Sequence, residues 1–210
     1  MSRIFDAIEH ARAVAPMGER AVAAPRFPGQ GAASDLAFLR LWQAVEVRLA
    51  DRPRRVVQVV PCGEDEHDPA VAVRLARLAG RTMAGGVLLL NQVETETRMD
   101  DDGAVALGPL PGRSGDARAF NPRLLSAYWE KLAGRADLII LDTPSVLSSP
   151  LSQALAPTVD GVIMVVEAER TRTEVAQAAK QALASGGANI LGVVLNKRPH
   201  HVPKKIYDRL

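Results

Sequence analysis

The chain has 210 residues, enough for one well-buried domain with terminal extensions and too few for two comfortable ones. Hydrophobic residues make up 47% and charged residues 24%, which excludes a wholly disordered chain, and no apolar run reaches the length that crosses a bilayer. A formal net charge of +2 gives no case for nucleic acid, and the single cysteine, Cys62, excludes an internal disulfide and a cysteine-rich zinc site, leaving a buried structural thiol as the expectation.

The opening Met1-Ser2-Arg3-Ile4-Phe5-Asp6 has no apolar secretory core behind its basic residue, so a cytoplasmic address is expected. Residues 3–14 carry Ile4, Phe5, Ile8 and Ala11 on one helical side, with Ser2 as start signal. Residues 15–33 are rich in Ala, Pro and Gly and lack an apolar period, so residues 1–33 read as a docking helix on a linker. Ser34 is then expected to cap a longer helix whose Phe38, Trp42, Val45 and Leu49 form an apolar stripe.

From Val56 the pattern changes to apolar runs separated by helices. The runs are Val56–Val60, Val87–Leu90, Leu138–Leu141, Gly161–Val166 and Ile190–Leu195. Helices are expected from about Pro69 to Leu78, from Pro122 behind the cap residue Asn121, and after a Thr171-x-x-Glu174 capping box, the last ending near Gly186. Apolar strands that do not alternate are buried on both faces, and helices between them demand a mostly parallel sheet. A doubly wound α/β domain over residues 34–199 follows, with a basic tail at 200–210. The segment from Asn91 to Asn121 fits least well and reads as a surface excursion with at most a short strand at Val105–Leu107. Its Asp100-Asp101-Asp102-Gly103 reads as a solvated run before a turn rather than a cation site.

Asp137-Leu138-Ile139-Ile140-Leu141-Asp142-Thr143-Pro144-Ser145-Val146 resembles the Walker B region of the bacterial tyrosine kinases that accompany capsule and exopolysaccharide synthesis. The run Asp160–Val166, the Thr171–Glu174 helix start and the run Ile190–Lys197 follow in that family's order and spacing, and Ser2–Ile8 is similar to the start of its stand-alone members. The resemblance implies a P-loop NTPase-like fold, with a Gly-rich loop ending in Gly-Lys-Ser/Thr after the first strand to wrap the phosphates of ATP and hold magnesium. Here that loop reads Pro61-Cys62-Gly63-Glu64-Asp65-Glu66-His67-Asp68-Pro69-Ala70, with no Lys, Ser or Thr. Each of its carboxylates would repel a polyphosphate by about 1 kcal/mol or more, depending on screening. Asp68 is placed instead to accept the helix's own amide hydrogens ahead of Pro69. The family's Asp-x-Asp motif after the second strand falls on Asn91-Gln92-Val93.

What remains is Asp142, at the Walker B aspartate, and Asn196, at the family's adenine-contacting position. Each also has a local reading, as a turn cap and a chain-turning residue respectively. Arg40 alone is kept from the family's oligomer motif, and the tail has one tyrosine, Tyr207, beside the internal Tyr128. His200 and His201 lack a third ligand nearby, so no metal site is expected. The resemblance therefore implies a degenerate, pseudo-kinase-like protein without a bound cofactor. Its implied partner is the cytoplasmic part of a membrane polysaccharide co-polymerase or a kinase paralogue, with peripheral membrane contact through the tail. The alternative is an active ATPase or tyrosine kinase that binds Mg-ATP through an atypical loop.

Overall fold

The computed structural model describes residues 32–52, 55–64, 66, 68–111 and 121–196. The expected docking helix at 3–14, the tail at 200–210, His200, His201 and Tyr207 lie outside the described residues. In chain order the elements are α1 (Ala32–Arg48), β1 (Val56–Pro61), α2 (Ala70–Thr82), β2 (Val87–Asn91), β3 (Arg98–Met99), β4 (Ala106–Pro109), α3 (Pro122–Ala133), β5 (Leu138–Asp142), α4 (Pro150–Leu155), a 3-10 turn (Ala156–Thr158), β6 (Gly161–Glu167), α5 (Thr173–Ser185) and β7 (Ile190–Asn196).

The strands form one sheet in the order β3-β4-β2-β5-β1-β6-β7, parallel throughout except for the antiparallel β3–β4 pair. Alternation along each strand sends side chains to two separate cores. Val57 and Val59 of β1, Leu89, Ile140 and Ile163 face α1 and α2, meeting Trp42, Leu49 and Leu75. Val56, Val60, Leu88, Ile139 and Met164 face α3, α4 and α5, meeting Trp129, Leu155 and Leu183. The sheet is therefore covered on both sides, which is why its central strands read as unbroken apolar runs. The Trp129 indole is fully buried and donates to Thr158 Oγ1 at 3.0 Å, fastening α3 to the turn that feeds β6. Tyr128 packs edge-on against it at 5.1 Å, and burial raises the Tyr128 hydroxyl above its ordinary pKa.

Several expectations are corrected. Ser34 lies inside α1, which starts at Ala32, because the preceding alanines continue the helix at little cost. The helix expected to end at Leu78 runs on to Thr82. The excursion after Asn91 contributes β3 and β4 to the sheet, with β4 one residue later and longer than expected. Its aspartates are not merely solvated. Asp100 is buried, accepts the amides of Ala104 and Val105 at 2.9 and 3.0 Å, and pairs with Arg77 at 3.2 Å, while Asp102 pairs with Arg81 at 3.3 Å. The loop is thus braced against α2, and Gly103 supplies the left-handed turn at φ 66°. Strand β7 is not buried on both faces: Val193 and Leu195 are 60% and 55% exposed, as befits an edge strand with one neighbour. Among the described residues no helix is long and apolar enough to cross a membrane.

Truncating the buried indole in Trp129→Ala should lower the unfolding free energy by about 3–5 kcal/mol, whereas Val193→Thr on the exposed edge should stay within about 0.5 kcal/mol of the parent. Urea melts followed by circular dichroism measure both.

Candidate functional site

Strand β1 sits between β5 and β6, and the chain leaves it towards β2 on one side while β6 lies on the other. Open α/β sheets place ligand sites outside the carboxyl ends of their strands at such a reversal. The loop joining β1 to α2 occupies that position.

This loop is held by hydrogen bonds from three directions. The Cys62 amide continues the sheet by donating to Val165 O at 2.9 Å, and Ser145 Oγ donates to Cys62 O at 3.0 Å. The Glu66 side chain folds back over Gly63. Its Oε2 accepts the Gly63 amide at 3.1 Å and the Thr171 hydroxyl at 2.6 Å, leaving the residue 8% exposed. A side chain at position 63 would collide with the Glu66 carboxyl, so the glycine is required for this close approach. Further on, Asp68 Oδ1 accepts the Ala70 amide at 3.0 Å and Asp68 Oδ2 accepts Asn196 Nδ2 at 3.2 Å. The expectation of Asp68 as N-cap and Pro69 as first helical residue is corrected by one position: Pro69 is the boundary residue, its carbonyl accepting the Val73 amide, and the Asp68 carboxylate reaches past it to the Ala70 amide.

The Glu167–Thr171 turn completes the other wall. Thr171 Oγ1 accepts the Glu167 amide at 2.8 Å while its hydroxyl hydrogen points to Glu66. Within the turn Glu169 takes a left-handed φ of 63°, a conformation that costs a non-glycine residue about 1–2 kcal/mol. The capping box expected from Thr171 to Glu174 does not form. The residue at the boundary of α5 is Arg172, without a side-chain cap, because the Thr171 hydroxyl is already engaged across the cleft.

Asp142 ends β5 in register with Val59 and is 3% exposed. The turn that follows is closed by Ser145, which accepts the Leu147 amide at 3.1 Å, and Ser149 caps α4. Asn196 ends β7, so Asp142 and Asn196 share the carboxyl edge of the sheet but stand three strand spacings apart, roughly 14 Å. They are not brought together; Asn196 meets Asp68 instead. At the second strand Asn91 Oδ1 accepts the amides of Val93 and Glu94 at 2.9 and 2.8 Å, and Val93 is 76% exposed. Gln58, fully buried in the centre of β1, donates to Thr143 Oγ1 at 3.0 Å and to Ser152 O at 3.1 Å, tying β1 to the segments after β5. Glu66, Thr171 and Gln58 are the polar residues that sequence reasoning did not single out for these roles. The spacing of Gly63 and Glu66 was visible in the sequence, but nothing local pointed to Thr171.

Cys62 is buried and its thiol is pushed up from 9.0 to about 11, first by loss of water and then by the Glu66 charge. The stability contributed by keeping this group neutral is fully present below pH 9.0 and is lost as pH rises through about 11, because the unfolded chain releases the proton first. Alkaline urea melts of the parent and Cys62→Ala should diverge in that window. Asp68→Ala should cost about 0.5–2 kcal/mol, and its effect should be non-additive with Asn196→Ala in a double-mutant cycle.

No family model matches the chain. Over 110 residues it is 33% identical to the tyrosine-protein kinase YwqD of Bacillus subtilis (strain 168), covering 50% of this chain and 42% of that protein. Over 104 residues it is 29% identical to the putative tyrosine-protein kinase CapB of Staphylococcus aureus, covering 50% of this chain and 45% of that one. The matches thus span less than half the length of these relatives. The kinase domain of Escherichia coli tyrosine kinase ETK shares the fold with a TM-score of 0.69 at 16% identity, covering 93% of this chain and 90% of that domain. About half of the chain is thus similar in sequence to bacterial tyrosine kinases, and nearly all of it shares the P-loop NTPase-like fold of a tyrosine-kinase domain.

Proposed function

We propose that the protein is a non-catalytic member of the bacterial tyrosine-kinase family, acting as a regulatory or scaffolding partner in the synthesis and export of capsule or exopolysaccharide. The observation that carries the reading is the composition of the β1–α2 loop together with its bonding. Residues 61–70 contain no lysine for a polyphosphate and no hydroxyl for magnesium, and the Glu66 carboxylate already takes the Gly63 amide. Mg-ATP fits such a loop poorly, since the charge that would face its phosphates has the wrong sign. Asn91 and Val93, at the family's Asp-x-Asp positions, offer no carboxylate, and Asn91 is engaged in closing its own turn.

The partner in this reading is the cytoplasmic part of a membrane polysaccharide co-polymerase or a kinase paralogue. The support is the family resemblance, joined to a fold that presents a surface without requiring turnover. Residues 1–14, with Ile4, Phe5 and Ile8, and the tail at 200–210, with Lys204, Lys205 and Arg209, are proposed as docking elements, the tail adding peripheral contact with an anionic membrane surface of about 1 kcal/mol per basic residue. The second reading, an active kinase or ATPase with an atypical loop, draws on Asp142 and Asn196. Its weakness is that the Asn196 amide is bonded to Asp68.

Purified full-length protein should show neither ATP hydrolysis above background nor tyrosine autophosphorylation, and calorimetry with Mg-ATP should give no binding heat. Turnover that disappears in Asp142→Ala would overturn the non-catalytic reading. Deleting residues 1–14 or 200–210 should leave the domain folded by circular dichroism and abolish co-purification with the membrane partner.

A further inference from the structure

We infer that Glu66 is a built-in anion: its carboxylate occupies the place at the β1–α2 turn where this topology offers amides to a phosphate, and it latches the β6–α5 turn onto the β1 loop. The first βα turn of an open parallel sheet gathers backbone N–H groups at the end of a helix, a setting that favours negative charge. One oxygen of Glu66 takes both the Gly63 amide and the Thr171 hydroxyl, donors that belong to opposite walls of the cleft and lie far apart in sequence. Hydrogen bonds to a charged acceptor are shorter and stronger than neutral ones, in keeping with the 2.6 Å separation. The carboxylate is sheltered at 8% exposure, and Gly63 lacks the side chain that would keep it out.

The latch then passes to the second wall. Thr171 receives the Glu167 amide while donating to Glu66, so a single hydroxyl joins the carboxylate to a turn that contains the left-handed Glu169. An anion position filled by the chain's own carboxylate needs no dissolved phosphate to bond the Gly63 amide. This inference rests on the non-catalytic reading of the loop, and its test reads hydrogen-bond protection rather than catalysis.

Amide exchange followed by NMR reads the latch directly at Gly63, whose N–H is bonded to Glu66, and at Glu167, whose N–H is bonded to Thr171. In Glu66→Ala both amides should exchange about tenfold faster or more, the scale expected for losing a charge-assisted hydrogen bond. Millimolar inorganic phosphate should restore most of the protection in that variant and leave the parent unchanged. Thr171→Val keeps the carboxylate in place, so Glu167 should exchange faster while phosphate has no effect; this variant carries the test if Glu66→Ala does not fold. Parent-like exchange in both variants overturns the latch. Failure of phosphate to protect a folded Glu66→Ala, or an equal response in the parent, overturns the assignment of the anion position.

Discussion

The architecture hangs on β1, six residues buried from end to end and paired on both sides by strands that come much later in the chain. Its start is fixed by Asp160, which accepts the Val56 amide at 2.9 Å through its side chain and donates its own amide to Val56 O at the same distance. Its middle is fixed by the Gln58 amide, and its end by the Cys62 amide on β6 and the Ser145 hydroxyl from beyond β5. A strand held so completely leaves its following loop little freedom of direction. The chemistry of residues 62–70 is therefore displayed from a rigid base.

At that base the Gln58 amide nitrogen is bonded while its buried Oε1 has no partner among the described residues, whereas the polar groups of the loop beyond it bond one another. Glu66, Thr171, Asp68 and Asn196 form two bridges across the carboxyl edge of the sheet, one to the β6–α5 turn and one to the end of β7. Of the four, Glu66 is buried and Thr171, Asp68 and Asn196 are partly buried. The cleft thus combines the placement of a ligand site with the bonding habits of a structural joint.

Much of the fold was legible because its signals are local or periodic. Val56–Val60, Leu138–Leu141 and Gly161–Val166 are apolar without alternation, which is the mark of a strand covered on both faces. Asn121 and Pro122 announce α3 within two residues, and Asn121 does accept the amides of Arg123 and Leu124. The short elements escaped: β3 has two residues and α4 six, too few for a period to show. Thr171 was misread for a different reason. Its spacing to Glu174 satisfies a local rule, but its actual acceptor lies 105 residues earlier, and a stronger tertiary bond outcompetes a weaker local one.

The sheet order carries a consequence for how the chain is made. The central strand emerges from the ribosome early, yet both of its neighbours, Leu138–Asp142 and Gly161–Glu167, are synthesised far later. Until then Val56–Pro61 has no partner on either edge, with Val57 and Val59 facing α1 and α2 and Val56 and Val60 facing the other core. Pairings between distant segments are slow to close and leave strands exposed to wrong contacts meanwhile. Pairing of the central strand therefore waits until β5 and β6 have both been made.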